Sequence, residues 1–287
     1  MSAGRAASPA PAAPARPGGR MAIGIAALVT LLLATFLVLP FISLLLRVSP
    51  GQLVARLADP IVWDALRLSL VTSGIATAIV VAFGLPVAWL LAMREFPGKR
   101  LLEVLIDLPM VLPPTVAGFA LLMAFGRAGL AGQAFSAFGV TLPFTTAGVI
   151  LAQVFMAVPF FVGPARAGFA GVDARLLDAA ATLRASEFET FVRVALPLSR
   201  PALIAGTALA CARTLGEFGA TITFAGNLPG RTQTMPLAVY VAMQSDLDTA
   251  VVLSVVLLLM AFGLLFGLRS APSGWAWNRA HAHRTTA

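Results

Sequence analysis

The sequence predicts an all-α membrane protein of six transmembrane helices with both termini in the cytoplasm, and three observations carry that fold class. The first is composition. Of 287 residues, 59% are hydrophobic and 11% charged, and the mean hydropathy is +0.91, whereas soluble domains carry roughly 25% charge. The second is run length, since a spanning helix needs about 20 apolar residues. Uncharged stretches of that order cover residues 21–46, 68–93 and 108–126. A longer one, 128–165, must hold a loop followed by a helix from Thr145, and two further spans cover 201–226 and 249–268. The third is charge. Arg5, Arg16, Arg20, Arg94, Lys99, Arg100, Arg166, Arg175, Arg184, Arg193, Arg200, Arg269, Arg279 and Arg284 fall on one side, against Arg47, Arg56, Arg67, Arg127 and Arg231 on the other. Fourteen against five places the first set in the cytoplasm. The net charge of +8 is thereby a topology signal, and no nucleic-acid partner is expected.

The same composition removes several function classes. One cysteine, Cys211, excludes an internal disulfide and a thiolate cluster, and the two histidines, His281 and His283, lie in the polar tail. No metal site is expected. Gly98 and Lys99 have Met93, not glycine, five residues before Gly98, so the phosphate-cradling GxxxxGK motif is missing. No ATP site is expected in this chain.

Taken in order, residues 1–20 are rich in Pro, Ala and Gly and read as a disordered cytoplasmic tail. The apolar run after Arg20 is too long for a signal-peptide core and reads as a retained first helix. The membrane domain then covers 21–270, and 271–287 form a cytoplasmic C-terminal tail. The third span opens with Asp107, Pro109, Pro113 and Pro114. Prolines remove donors and strain the preceding turn, so this span is either kinked where backbone lines a cavity or simply enters the membrane through proline. Gly263 and Gly267 form a GxxxG near the end of the last span.

The longest cytoplasmic connection, about 166–200, contains DAAATLRASEFETFVRVALP at 178–197. Asp173 is a plausible N-cap for a first short helix with Leu176, Leu177, Ala180 and Leu183 as its apolar stripe. Ser186 with Glu189 three residues on fits a capping box. A second helix carrying Phe188, Phe191, Val192 and Ala195 would run from there towards Pro197. Such a helical pair is either an interfacial anchor or a docking element for another protein.

This stretch resembles the EAA loop of permease subunits of ABC importers that work with a binding protein. Asp178, Ala179 and Ala180 stand for the acidic-Ala-Ala start, and Val194, Leu196 and Pro197 match the Ile-x-Leu-Pro ending. Arg184 replaces the family's glycine, where glycine would supply a left-handed turn at little cost. The resemblance implies a MetI-like permease fold and a loop helix that inserts into a cytoplasmic ATPase subunit, which binds the ATP and Mg. It also implies a second copy of the chain and a periplasmic binding protein. ARTLGEFGATITFAGNLPGRTQTMPLAVY, 212–240, closely resembles molybdate permeases, and sulfate permeases share its Gly-Glu-Phe-Gly core and Ala-Gly-Asn.

Within the spans, Arg213 lies about 18 Å past Pro201 at 1.5 Å per residue. Glu217 follows at i+4. The two are either a self-neutralising pair that holds the helix or a polar point on the translocation route, and Pro113 and Pro114 are further route candidates. Between the last two spans, Asn227, Arg231, Thr232 and Gln233 are candidates for docking a periplasmic molybdate-binding protein, with a short interfacial helix at 236–243. A solvated loop is the other reading.

The expected function is the permease subunit of an ATP-driven importer for a tetrahedral oxyanion, molybdate first, with sulfate, thiosulfate or tungstate as alternatives. A secondary transporter would need coupling-ion carboxylates at mid-membrane, where Glu217 is the one clear candidate. An intramembrane enzyme would need a constellation that the spans lack.

Overall fold

A computed structural model describes residues 18–57 and 59–270, and every regular element among them is helical. The expectations for 1–17 and for the tail at 271–287 lie outside the described residues. Among the described residues, five helices are long and apolar enough to cross a membrane, and a bent pair raises the number to six.

The chain divides into two units. The first holds α1, Gly18–Leu45, which begins directly after the last proline of the tail sequence, so residues 18–20 are helical and not tail. Two of its hydroxyls bond within the helix: Thr30 Oγ1 donates to Ala26 O and Ser43 Oγ to Leu39 O, each at 2.8 Å. That leaves an apolar surface bearing Leu32 and Phe36, as lipid requires.

The second unit holds the remaining helices. After α2, Pro50–Leu57, comes α3, Pro60–Met93, which opens well before residue 68. Asp59 caps it by accepting from Ile61 N at 2.9 Å, and Pro60 takes the first helical position. Next come α4, Lys99–Val111, and α5, Pro114–Phe125, then the short α6, Gly132–Ala137. The long α7, Thr146–Ala170, starts where the sequence placed it, with Thr145 Oγ1 accepting from Gly148 N at 3.1 Å.

Beyond α7 lie α8, Ala174–Thr182, and α9, Glu187–Thr190, and a π-helical turn at Phe191–Ala195 leads into α10, Leu196–Leu215. The chain finishes with α11, Gly219–Ala225, α12, Met235–Ser245, and α13, Leu247–Ser270.

The core is built where α3, α7 and α10 lie against one another around Val80, Leu91, Phe161 and Phe169. Gly84 and Gly206 admit Phe161: a Cβ on Gly84 would stand 2.7 Å from its ring, and one on Gly206 3.1 Å from its carbonyl. Small residues thus let the backbones close. At the other end of α3, Val62 and Ala65 pack with Met235 and Ala238 of α12 and Leu253 of α13. There Ser69 Oγ accepts from Met235 N at 2.7 Å.

One expected span breaks as its prolines suggested, and another is corrected. The third is broken: α4, which already opens at Lys99, and α5 meet at 120°. Leu112 is extended at φ −68°, ψ 138°, and Pro113 follows at φ −55°, ψ 131°. A proline forces its predecessor out of the helical region and offers no donor, and two in succession end α4 outright. The fifth span does not continue to residue 226. Its helix stops at Leu215, and residues 216–218 separate it from α11.

Candidate coupling loop and transport route

The loop between α7 and α10 is built from local chemistry. Asp173 Oδ1 accepts from Arg175 N at 2.9 Å and caps α8. The α8 C-terminus closes as a Schellman motif, with Ala185 N donating to Ala180 O at 3.0 Å and Arg184 N to Ala181 O at 2.9 Å. Arg184 occupies the left-handed position at φ 59°, so it takes the conformation that glycine would have given. Ser186 and Glu189 form a complete capping box, which opens α9.

The second helix does not end near Pro197. It passes through the π turn into α10, where Leu196 N donates to Phe191 O. Pro197 cannot donate to the carbonyl one turn back and its ring crowds it, which widens the turn. Residues 187–215 therefore form a single rod, long and apolar enough to cross a membrane, about 43 Å long at 1.5 Å per residue.

This rod is fastened to the core. Trp89 packs on Phe169 with ring centroids 5.3 Å apart and on Phe191 at 5.2 Å. Arg94, just past α3, pairs with Glu187. On α8, Asp178 and Ala179 are exposed, while Ala180 is buried against the chain itself. Leu183 and Phe188 are 83% and 74% exposed. Two large apolar side chains thus stand bare on one short loop. The sequence placed Leu183 and Phe188 on apolar stripes without saying what they face, and it passed over Trp89, although Phe169 and Phe191 flanking the loop were the available signal.

Deeper in, the two short helices α5 and α11 cross closely. A Cβ on Gly118 would stand 2.7 Å from Ala220 O, and one on Gly219 would stand 2.6 Å from Pro114 Cβ. Pro113 and Pro114 therefore bring the start of α5 to the start of α11. Arg213 lies in the last turn of α10, and Glu217 lies beyond its end, so the pair is not formed on one helical face. The two side chains still meet: Arg213 Nη2 is 2.6 Å from Glu217 Oε2, out of line for a hydrogen bond, so the contact is ionic. Glu217 Oε1 accepts from Ala220 N at 2.7 Å and helps to start α11. The carboxylate is fully buried and the guanidinium 20% exposed, with Phe160 5.9 Å away beneath the cation.

At the end opposite the coupling loop, the segment after α11 folds on the Leu228 carbonyl, which accepts from the backbone N–H groups of Arg231, Thr232 and Gln233. Thr232 and Gln233 are buried, and Thr232 Oγ1 accepts from Leu228 N at 2.9 Å, so both shape the segment from within. Asn227 is half-buried with Oδ1 enclosed. Arg231 is exposed, and its carbonyl accepts from Thr146 Oγ1 at 2.9 Å. Among the described residues, no group of three or more His, Cys, Asp or Glu could hold a metal ion.

Known proteins share this architecture. A bacterial alginate ABC transporter, crystallised in complex with an alginate pentasaccharide-bound periplasmic protein, superposes with a TM-score of 0.70 at 14% identity, over 87% of this chain and 93% of that chain. The MetNI methionine ABC transporter in inward-facing conformations gives 0.55 at 18% identity, over 72% and 91%. In sequence, the molybdenum transport system permease protein ModB of Escherichia coli K12 is 46% identical over 190 residues, 66% of this chain and 82% of its own length. The ModB of Mycobacterium tuberculosis H37Rv is 42% identical over 237 residues, 81% of this chain and 88% of its own. A probable sulfate transport system permease protein, cysT of Chlorokybus atmophyticus, is 36% identical over 236 residues, 81% and 82%. The family model for binding-protein-dependent transport system inner membrane components matches residues 82–268, and the chain belongs to that family.

Proposed function

We propose that this chain is the permease subunit of an ATP-driven importer for a tetrahedral oxyanion, with molybdate as its substrate. The observation that carries the reading is the likeness to molybdenum permeases, 46% and 42% identical over most of their lengths, joined to a completed coupling loop with a bare apolar face. Two copies of the chain line the route between them, two cytoplasmic ATPase subunits receive the loops, and a periplasmic molybdate-binding protein sits over the opposite end. ATP and its Mg belong to the ATPase subunits, and this chain binds no cofactor of its own.

Motion reaches the membrane through the rod at 187–215. Ala179, Leu183 and Phe188 present the contact, with Asp178 and Arg184 at its edges. Leu196 and Pro197 stand where the loop becomes a membrane helix. When the ATPases close, the loops are drawn together, and the aromatic contacts of Trp89 carry the displacement into α3 and α7. The far end of the rod carries Arg213, so the same movement alters the break beside Glu217. A free arginine in a membrane would hold a dianion too firmly for release; Arg213 neutralised by Glu217 guides it without trapping it.

The test is complementation of a molybdate-uptake-deficient bacterium by this chain with its own ATPase and binding protein, read as molybdoenzyme activity at limiting molybdate with and without excess sulfate. Rescue that resists sulfate, and that Ala179→Glu abolishes with the protein still in the membrane, supports substrate and loop together. The 36% identity to a sulfate permease favours one second reading, a sulfate importer, and rescue of sulfate auxotrophy alone would move the substrate there. Rescue without any ATPase partner would remove the ABC reading in favour of an ion-coupled carrier.

A further inference from the structure

The end of the molecule opposite the coupling loop holds a cavity of about 520 Å³, walled by Leu122, Arg127, Thr141, Phe144, Thr145 and Arg231 among its lining. It is concave, open and of one sign of charge. No acidic residue lines it, and neither Arg127 nor Arg231 has an acidic partner among the described residues. Arg127 follows α5, and Arg231 follows α11. The Arg231 segment is tied to the residues that open α7: Thr146 Oγ1 donates to the Arg231 carbonyl, and the Phe144 ring stands 2.9 Å from a Cβ placed on Gly226. Thr145 Oγ1 is already engaged with Leu142 O and Gly148 N, which leaves the Thr141 hydroxyl exposed on the wall.

We infer that this cavity is an external receiving site for the free tetrahedral oxyanion, in which Arg127, Arg231 and Thr141 hold the dianion between its release from the binding protein and its passage towards Arg213. The inference rests on the oxyanion reading above. Position supports it. The cavity lies at one end of α11 and Glu217 at the other, a helix of seven residues, or about 10 Å at 1.5 Å per residue. Two cationic stations thus flank α11: the inner one is neutralised by Glu217, and the outer one is unpaired and faces water. A cleft of one charge sign gathers counter-ions, while solvent keeps each guanidinium contact weak. That combination captures a dianion and lets it go. A cavity accepts a small free anion more readily than the convex surface of a partner protein, and the exposed tip at 228–230 is left to meet that partner.

The test uses the full importer in proteoliposomes, with its binding protein titrated from the outside and radiolabelled molybdate import measured. The double variant Arg127→Gln with Arg231→Gln is expected to lower import at saturating loaded binding protein at least fivefold, with the half-saturating binding-protein concentration unchanged. Arg127→Lys with Arg231→Lys keeps the charge and is expected to retain more than half of wild-type import. A rise in the half-saturating binding-protein concentration, with maximal import intact, would reassign the arginines to carboxylates of the partner and overturn the inference. Unchanged import and unchanged half-saturation would overturn it as well. If the wild-type importer carries none of molybdate, tungstate or sulfate, the oxyanion function itself fails and the receiving site falls with it.

Discussion

Arg213 Nη2 stands 2.6 Å from Glu217 Oε2 across the break that separates α10 from α11. The two partners are not equivalent, because the carboxylate is wholly enclosed and the guanidinium 20% exposed. Removing one member of a buried pair costs about 3–5 kcal/mol when the remaining charge is stranded. Arg213→Ala strands Glu217, so a loss of about 3 kcal/mol is expected. Glu217→Gln keeps an acceptor for Ala220 N and leaves Arg213 a path to solvent; a loss of about 1–2 kcal/mol is expected, as for a hydrogen bond to a charged group. Adding Glu217→Gln to Arg213→Ala should then restore stability. Thermal unfolding of the four proteins in detergent measures this, and a double variant weaker than Arg213→Ala would contradict the buried-charge account.

The crossing of α5 and α11 leaves no room for a side chain at Gly118. A Cβ there would meet Ala220 O at 2.7 Å and Ala220 Cα at 2.8 Å, and backbone cannot swing aside. Gly118→Ala should cost about 1–3 kcal/mol, as overpacking does, and should slow transport by parting the two short helices. Gly263, with nothing within 4 Å of its Cβ position, provides the control. Gly263→Ala should leave the melting temperature unchanged or slightly raised, since alanine favours the helix.

What the sequence made legible was local. The caps at Asp173 and the pair of Ser186 and Glu189 act over three residues or fewer, so their partners stand side by side in the chain. The break at Pro113 and Pro114 was legible for the same reason, though not its 120° angle, which depends on what α4 and α5 pack against. The end of α10 at Leu215 was hidden. Residues 201–226 read as one apolar run, and the helix stops because Glu217 turns inward to reach Arg213 and Ala220. The orientation of α8 was hidden too. Its stripe of Leu176, Leu177, Ala180 and Leu183 did not say which residues face the chain itself: Ala180 packs inward while Leu183 stays 83% exposed. On the proposed docking role, the apolar period of α8 serves a partner and is not buried within the chain. The burial of Thr232 and Gln233 was equally out of reach, since a polar run between spans carries no mark of folding back on Leu228.

Arg184 completes the Schellman motif of α8 at φ 59°, a conformation that costs an L-residue roughly 1–2 kcal/mol. The side chain is exposed and joins no ion pair among the described residues. Arg184→Gly should therefore stabilise the loop by about 1 kcal/mol, offset in part by glycine's greater freedom in the unfolded chain. Slower hydrogen exchange at the amides of Arg184 and Ala185, with transport retained, is the expected outcome. Faster exchange there would mean that the arginine side chain holds the turn.

Asp246 connects α12 to α13 and is a group through which strong acid should act at this end. Its carboxylate accepts from the Thr249 hydroxyl, from Thr249 N at 3.3 Å and from Asp248 N at 3.1 Å, and Arg56 stands 3.3 Å away. The Thr249 side chain, then the backbone of Thr249 and Asp248, then the Arg56 charge hold its pKa below the ordinary aspartate value of 3.8. A depressed pKa contributes stability that is complete above 3.8 and is lost as pH falls through the lower, folded-state value. Asp246→Ala should thus lower the melting temperature at pH 7, and the gap to wild type should close as both are taken below the ordinary aspartate range. Arg56→Ala at pH 7 should cost less than Asp246→Ala, because the arginine is one cause of the shift and the smallest. A gap that persists undiminished in strong acid would place the contribution of Asp246 in packing and not in its charge.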